Sequence, residues 1–427
     1  MTVTTAGMQA SIPFDPYDYD FHEDPYPTYA RLRREAPVYR NTDGDFWALA
    51  RHEDVADAFR DNVRLSNSWG VSMDPTAYNE NAEYSMSFLA MDDPRHLRLR
   101  KLVSKGFTPR RVSELAPRIR DLTRQHWARC LEMGEFDFVH DFAGLLPMDV
   151  VSELLGVGQS DRAHLRTQSD LLIHREEGVT DVPPAAVAAY LDLHRYYTDL
   201  LAQRRKNPGD DLVSALIGAE VIGDDGERTV MSREEIIGFM MLMVVAGNET
   251  TTKLLGNSVY WGHRSGSRGS AGEGGGGQVS EILDGVGRGD DPVGSVRDWV
   301  QETLRYDTST QMLVRRVVED VEYGGHTIPA GDRVLLLIGS ANRDEEVFGA
   351  DADQYRIGRD SSRTILSFGL GTHFCLGAHL ARLETELGLA EIVRTVRSYE
   401  VDVDAAERVH SVNVRGFAAL PMKVQAR

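Results

Sequence analysis

Residues Ser367 to Gly377 read Ser-Phe-Gly-Leu-Gly-Thr-His-Phe-Cys-Leu-Gly, and this run holds one of only two cysteines in 427 residues. Gly369 and Gly371 permit positive φ and close approach of the backbone to a bulky group. A helical pattern starts just after Gly377. Cys375 therefore stands at the mouth of a helix, where free backbone N–H groups favour a thiolate. A single thiolate, with no second cysteine or His pair nearby, suits an axial haem ligand better than a zinc site. The plain alternative is a buried structural cysteine in a turn, and this run by itself does not separate the two. A phosphate-binding glycine loop is a poorer reading, because no strand-then-Lys pattern accompanies it.

Three other groups of residues have informative spacings. Ala246-Gly247-Asn248-Glu249-Thr250-Thr251 interrupts a long apolar run. Polar groups in a buried rod need partners. Gly247 lets a ligand approach, and a threonine hydroxyl bends a helix by competing for backbone carbonyls. A packing notch with satisfied side chains is the alternative. His96 and Arg100, four apart, share a helix face. Paired cations there suit carboxylates, although in isolation a solvated basic face is the commoner meaning. Glu302 and Arg305, three apart, also share a face, and a surface ion pair is the default for that spacing.

Together these motifs resemble the cytochrome P-450 haem-thiolate family. Phe368, Gly371, His373, Cys375 and Gly377 fill every fixed position of its signature, Phe-x-x-Gly-x-His/Arg-x-Cys-x-Gly. The other motifs stand in the family's order, so the resemblance covers nearly the whole chain. It implies haem b with Cys375 as axial thiolate and metal ligand, and O2 as co-substrate. It implies that Ala246, Gly247, Phe368, Gly369 and Gly377 lie against the haem. His96, Arg100, Arg315 and His373 are implied to bind the propionates, with Arg316 a rival to Arg315. Glu249 and Thr250 are implied to be the acid–alcohol pair that guides protons to the oxygen site. Asn248 stands where relatives often carry His, a departure expected to touch helix orientation or substrate contact and not the proton path. Glu302, Arg305 and Arg359 are implied to form a buried structural cluster. Substrate contacts are expected from Phe88, Leu89, Met243, Ala246, Thr310, Gln311, Met312, Leu313, Asn413 and Val414. That mostly apolar set suits a lipophilic molecule.

The implied activity is insertion of one oxygen atom of O2 into a C–H or C=C bond. No flavin or nicotinamide segment is evident, so a separate ferredoxin and ferredoxin reductase are the expected electron source. Arg98, Lys101 and Lys105 are the expected docking patch, with a merely solvated face as the alternative. A peroxide-driven haem-thiolate enzyme is the second reading. The intact Glu249-Thr250 pair disfavours it, because peroxide use does not need that proton path. A non-catalytic haem-binding protein is the third.

The elements that must position these residues follow from periodicity. The resemblance implies a mainly α fold, a large helical part with a smaller β-rich lobe near the N-terminus, in one domain spanning 1–427. Residues 1–20 read as an extended arm. A helical period begins near Pro25, a strand and helix follow in Phe46 to Asp61, and Asn62 to Met91 reads as a long loop. Ser232-Arg233-Glu234-Glu235 caps an apolar run that continues to about Trp261, about 29 residues or ~43 Å. Paired strands are expected between Arg315 and Asp344, and a last long helix from Ala378. Gly262 to Gly294 holds twelve of the chain's 39 glycines, and the packing helix expected there is missing from the pattern. A compensated frameshift over 262–296 is one account and a flexible insertion another. If the segment is real, the haem-binding core loses a packing helix, with lower stability and weaker haem retention expected. A net charge of −19 argues against nucleic acid as partner. Two cysteines exclude a disulfide scaffold. Residues 1–20 show no signal peptide or membrane anchor, and the protein is read as cytoplasmic.

Overall fold

The computed structural model describes residues 12–222, 228–265, 278–361 and 363–427. Its helices of nine residues or more are α1 (Tyr26–Glu35), α2 (His52–Arg60), α3 (Arg95–Val103), α4 (Ala116–Met133), α5 (Leu145–Leu155), α6 (Arg162–Ile173), α7 (Pro184–Lys206), α8 (Arg233–Arg264), α9 (Gln278–Gly287), α10 (Val293–Tyr306) and α11 (Ala378–Thr395). The start of α8 is chemically specified. Ser232 Oγ accepts from the Glu235 N–H at 3.1 Å, and the Glu235 carboxylate accepts from the Ser232 N–H at 2.8 Å. That reciprocal cap satisfies two donors a helix end would otherwise leave free. The helix then runs 32 residues, ending at Arg264 and not near Trp261. It is apolar nearly all round, so it is covered by α5, α6 and α7 and by α10 and α11.

The main sheet has five strands: β1 (Val38–Asn41), β2 (Phe46–Leu49), β3 (Leu65–Ser66), β4 (Met312–Val317) and β5 (Arg333–Leu337), in the order β1-β2-β5-β4-β3. β5 lies parallel to β2 and antiparallel to β4. The β-rich lobe is thus a composite of N-terminal strands with strands from the chain's later half. Alternation along β4 divides its residues. Met312 and Val314 enter a core with Phe14, Tyr29 and Leu335, while Leu313 and Arg315 face the central cavity. The N-terminal arm is not simply extended. A helical turn forms at Tyr19–Glu23, Ile12 and Phe14 are buried, and Tyr39 and Asn41 donate to their carbonyls at 2.9 Å.

The expected loss of a helix between 262 and 296 is overturned. α9 occupies 278–287, buries Val279 and Leu283, and packs on α11. Gln278 ties it to the irregular segment before the cysteine loop, donating to Tyr355 O at 3.0 Å and accepting from Ile357 N at 2.7 Å. The amphipathic period is faint in the sequence, because only Val279, Ile282, Leu283 and Val286 carry it in a glycine-rich stretch. The rest of the anomalous segment, 266–277, lies outside the described residues. Gly262 is closely fitted: a Cβ there would stand 2.7 Å from Tyr399 Oη and 2.8 Å from both Trp299 and Val279.

Two buried ionic clusters fasten the layers. Glu302 and Arg305 are both fully buried, not a surface pair. Arg305 bonds both Glu302 oxygens at 2.9 and 2.7 Å and donates to the carbonyls of Asn342, Ala352 and Gln354. Arg359 Nε lies 3.6 Å from Glu302 Oε1. Asp307, just past α10, accepts from Tyr26 Oη at 2.6 Å, Trp261 Nε1 at 2.7 Å and Arg415 Nε at 2.8 Å. Burial alone would raise its pKa, but Arg415 and Arg408 outweigh burial and hold it well below the usual carboxylate range.

Glu302→Gln leaves Arg305 buried without its counter-charge and is expected to lower unfolding free energy by ~3–5 kcal/mol. Urea titration checks this, and a loss under about 1 kcal/mol contradicts the account. Gly262→Ala is expected to cost ~1–3 kcal/mol through overpacking, read as a fall in the urea midpoint at unchanged slope.

Candidate active site

The centre of the molecule holds an apolar cavity floored by Phe368, Gly369, Cys375, Leu376 and Gly377 and walled by Met243, Ala246, Gly247, Thr250 and Thr251 of α8. The floor is a tight loop. The Cys375 N–H donates to Phe368 O at 2.8 Å, closing the turn around two positive-φ glycines. Gly371 has φ +69, and a Cβ there would sit 3.0 Å from the Phe59 carbonyl oxygen. Cys375 presents its sulfur to the cavity, whereas Cys130 is buried elsewhere against the Asp141 carbonyl. Burial raises the Cys375 pKa and outweighs the N–H groups of Gly377 and Ala378 and the charges of Arg100 and Arg382. The loop's dipoles aim at the sulfur as the sequence implies, but a positive ligand is needed to complete the thiolate.

One rim of the cavity gathers cations. Arg100 and Arg315 line it, and no carboxylate among the described residues forms an ion pair with either. Arg315 is buried, and desolvation pulls its pKa down to about 10. Arg316 lies instead over the Trp69 ring at 3.7 Å, which settles which of the two arginines faces inward. His373 also lines the rim. Burial, with His96, Arg315 and Arg100 beside it, depresses its pKa to about 2. His96 does not line the cavity: it is fully buried and stacks on His373 at 3.9 Å, with its Nε2 lacking a partner. A buried charge without a counter-ion is costly. This rim, above a cysteine and apolar walls, fits a flat apolar group bearing two carboxylates and a metal centre.

On α8, Thr250 Oγ1 donates to Ala246 O at 2.7 Å and lines the cavity. Glu249 is on the other flank, buried and outside the cavity lining. Its carboxylate accepts from Asn248 Nδ2 at 3.0 Å and faces Lys253 Nζ at 3.3 Å. Asn248 therefore touches the acid itself, contrary to the expectation that it bears only on helix orientation or substrate. The reason is the side-by-side packing of adjacent residues on one buried flank.

Of the expected substrate contacts, Phe88, Leu89, Met243, Thr310 and Leu313 line the cavity. Gln311, Met312, Asn413 and Val414 do not. Met312 is on the opposite face of β4, and Gln311 bonds Thr308 O at 2.7 Å. Asn413 bridges Val71 O and Met312 O, and Val414 pairs with Thr310 as an isolated bridge. These four support the wall from behind. The roof, carrying Phe88 and Leu89, is fastened to the segment after α6 by a buried two-pronged pair, Asp74 with Arg175, at 2.8 and 2.9 Å. Sequence reasoning missed Glu384, which lines the cavity, has one oxygen without a partner, and is pushed up to about 8 by burial. Its signal was an acid on the buried face of α11, in register with Leu380 and Gly388.

Comparison with known proteins identifies this architecture. Residues 296–425 match the family model Cytochrome P450. The chain is 54% identical to the putative cytochrome P450 123 of Mycobacterium tuberculosis, over 97% of each chain. It is 35% identical to the vitamin D(3) 25-hydroxylase of Pseudonocardia autotrophica, over the full length of both. Cytochrome P450 CYP109Q5 from Chondromyces apiculatus superposes with a TM-score of 0.82 at 31% identity, covering 97% of this chain and 98% of that one. The chain belongs to the cytochrome P450 family. It is a monooxygenase of that family, which uses haem b with a cysteine thiolate ligand and O2. No helix among the described residues is long and apolar enough to cross a membrane.

Arg315→Leu is expected to cut haem retained per polypeptide several-fold, measured as the Soret-to-protein absorbance ratio. The haem-free protein should be as stable as the parent or more so, because an uncompensated buried cation is removed. Equal haem content in both proteins contradicts the role of this rim.

Proposed function

We propose that this enzyme hydroxylates or epoxidises a lipophilic small molecule with electrons from a ferredoxin and its reductase. The supporting observation is the juxtaposition of Cys375, the uncompensated Arg100–Arg315 rim and Thr250 around one apolar cavity. Cys375 would hold the iron, with Arg100, Arg315 and His373 on the propionates. The haem supplies binding and activation of O2 when bound. Phe88, Leu89, Phe239, Met243 and Leu313 orient the substrate and exclude water. Thr250 holds a hydroxyl at the cavity wall, and Glu249 one residue away holds the acid that serves it. A relative named for vitamin D(3) hydroxylation supports a bulky, largely apolar substrate. The acid and hydroxyl held by partners on α8 favour O2 over peroxide as oxidant.

The docking patch is narrower than the sequence implied. Arg98 is engaged with Glu235 and with Val230 O. Lys101 and Lys105 are exposed and lie on the side where Arg100 reaches the Phe374 carbonyl. They remain the proposed contacts.

The dithionite-reduced, carbon-monoxide-bound protein is expected to show the long-wavelength Soret band of thiolate-ligated haem. Cys375→Ser should abolish it, and a band that survives the substitution sinks the assignment. Lys101→Glu with Lys105→Glu should slow ferredoxin-supported turnover while leaving substrate spin-shift affinity unchanged. A rate unaltered across ionic strength argues against the patch.

A further inference from the structure

Arg382 carries a charge that its own helix does not account for. It lies on α11, seven residues after Cys375, and is half-buried. Desolvation pulls its pKa down. No carboxylate among the described residues forms an ion pair with it. Glu386, one turn further along α11, is engaged with Arg297 at 3.5 Å and acts on Arg382 only at longer range. The side chain also turns in the unfavourable direction. Its Nη1 reaches back to the Ala378 carbonyl at 3.5 Å, in the first turn of α11, where the helix dipole disfavours a cation. What the guanidinium meets there is an aromatic ring: its central carbon stands 4.3 Å from the centroid of Phe368. The face of an aromatic ring attracts a cation. Phe368 lines the floor of the cavity, and its carbonyl accepts the Cys375 N–H at 2.8 Å. Arg382 itself does not line the cavity. A fixed cation is thus held behind the floor, one ring away from the site that Cys375 faces.

We propose that Arg382, held over Phe368, raises the reduction potential of the haem iron and so fits it to accept an electron from the ferredoxin. The inference rests on the reading of Cys375 as the iron's ligand given above. Arg382 touches neither substrate nor the reacting atoms, so it is a positioning residue whose charge acts across the Phe368 ring. The step concerned is a one-electron reduction of ferric to ferrous iron. The electron comes from the reduced ferredoxin, no bond forms or breaks, and Arg382 keeps its proton throughout. Reduction makes the site more negative by one charge. A cation nearby in a poorly screened setting favours the more negative state. The same guanidinium, stacked on Phe368, also holds the ring against the loop that carries Cys375, so charge and packing must be separated by experiment.

The test is a spectroelectrochemical titration of the substrate-free holoenzyme, without ferredoxin. It compares the parent with Arg382→Leu, which covers the ring without a charge, and with Arg382→Lys, which keeps the charge without the planar stack. In Arg382→Leu the equilibrium constant for one-electron reduction should fall on the order of tenfold, a shift of ~59 mV to lower potential. Arg382→Lys should recover most of that shift. Haem per polypeptide and substrate spin-shift affinity should hold in both variants. The proposal is overturned if Arg382→Leu keeps the parent potential, the result expected if Arg382 serves only in docking or packing. It is overturned equally if Arg382→Lys falls as far as Arg382→Leu, because the planar stack and not the charge then sets the potential. The carbon-monoxide-bound Soret band of the parent and of Cys375→Ser reports the ligand assignment separately. Failure of that assignment is thus distinguishable from failure of the role given to Arg382.

Discussion

α8 must be buried along most of its length, and the positions of the other parts follow from that requirement. A helix of 32 residues that is apolar nearly all round has to be covered by several elements at once. The polar residues in its middle then have no recourse to water and need partners among those elements. Successive residues on a helix are separated by ~100°. Thr250 therefore meets the cavity while Glu249 meets α6. Further along, Asn257 donates to Asp307 O at 2.9 Å and Arg415 O at 3.3 Å, so the same rod joins the C-terminal strands to the core.

The buried charges divide into two kinds, and the division locates the chemistry. Glu302 with Arg305 and Arg359, Asp307 with Arg408 and Arg415, and Asp74 with Arg175 each pair opposite signs in close geometry. These clusters join segments far apart in sequence and resist separation, because either partner alone would be stranded in low dielectric. Arg100 and Arg315 have no such partners and stand beside depressed histidines. A fold that compensates its charges elsewhere but leaves cations together at a cavity rim is built to receive anions there. Glu384 adds the opposite case: an acid kept neutral by burial at the same cavity.

Much of the site was legible because its motifs are local. The loop around Cys375 depends on glycines and a helix start that lie within eleven residues. The capping box of α8 and the i, i+3 pairing of Glu302 with Arg305 are also contained in short windows. The resemblance, and not the spacing by itself, put Glu302 and Arg305 in a buried cluster with Arg359, and the packing of α10 against the 342–354 segment is what buries them. Where reading failed, the cause was long-range. The resemblance grouped Gln311, Met312, Asn413 and Val414 with the pocket. Strand alternation and cross-chain hydrogen bonds put them behind its wall. The glycine content of 278–287 obscured a short amphipathic period that becomes a helix once α11 covers it.

The sequence by itself determined the kind of loop around Cys375, the cap and apolar character of α8, and the family signature, since each rests on residue type and spacing over a few turns. Tertiary structure alone decided that Arg315 and not Arg316 faces the cavity, that His96 stacks behind His373, and that Ser169 of α6 meets Glu249. Those outcomes depend on which elements pack together, such as α6 against α8, whose contacting residues Ser169 and Glu249 are 80 apart in sequence. Local propensity carries no information at that range, whereas burial and charge pairing act only once the chain has folded.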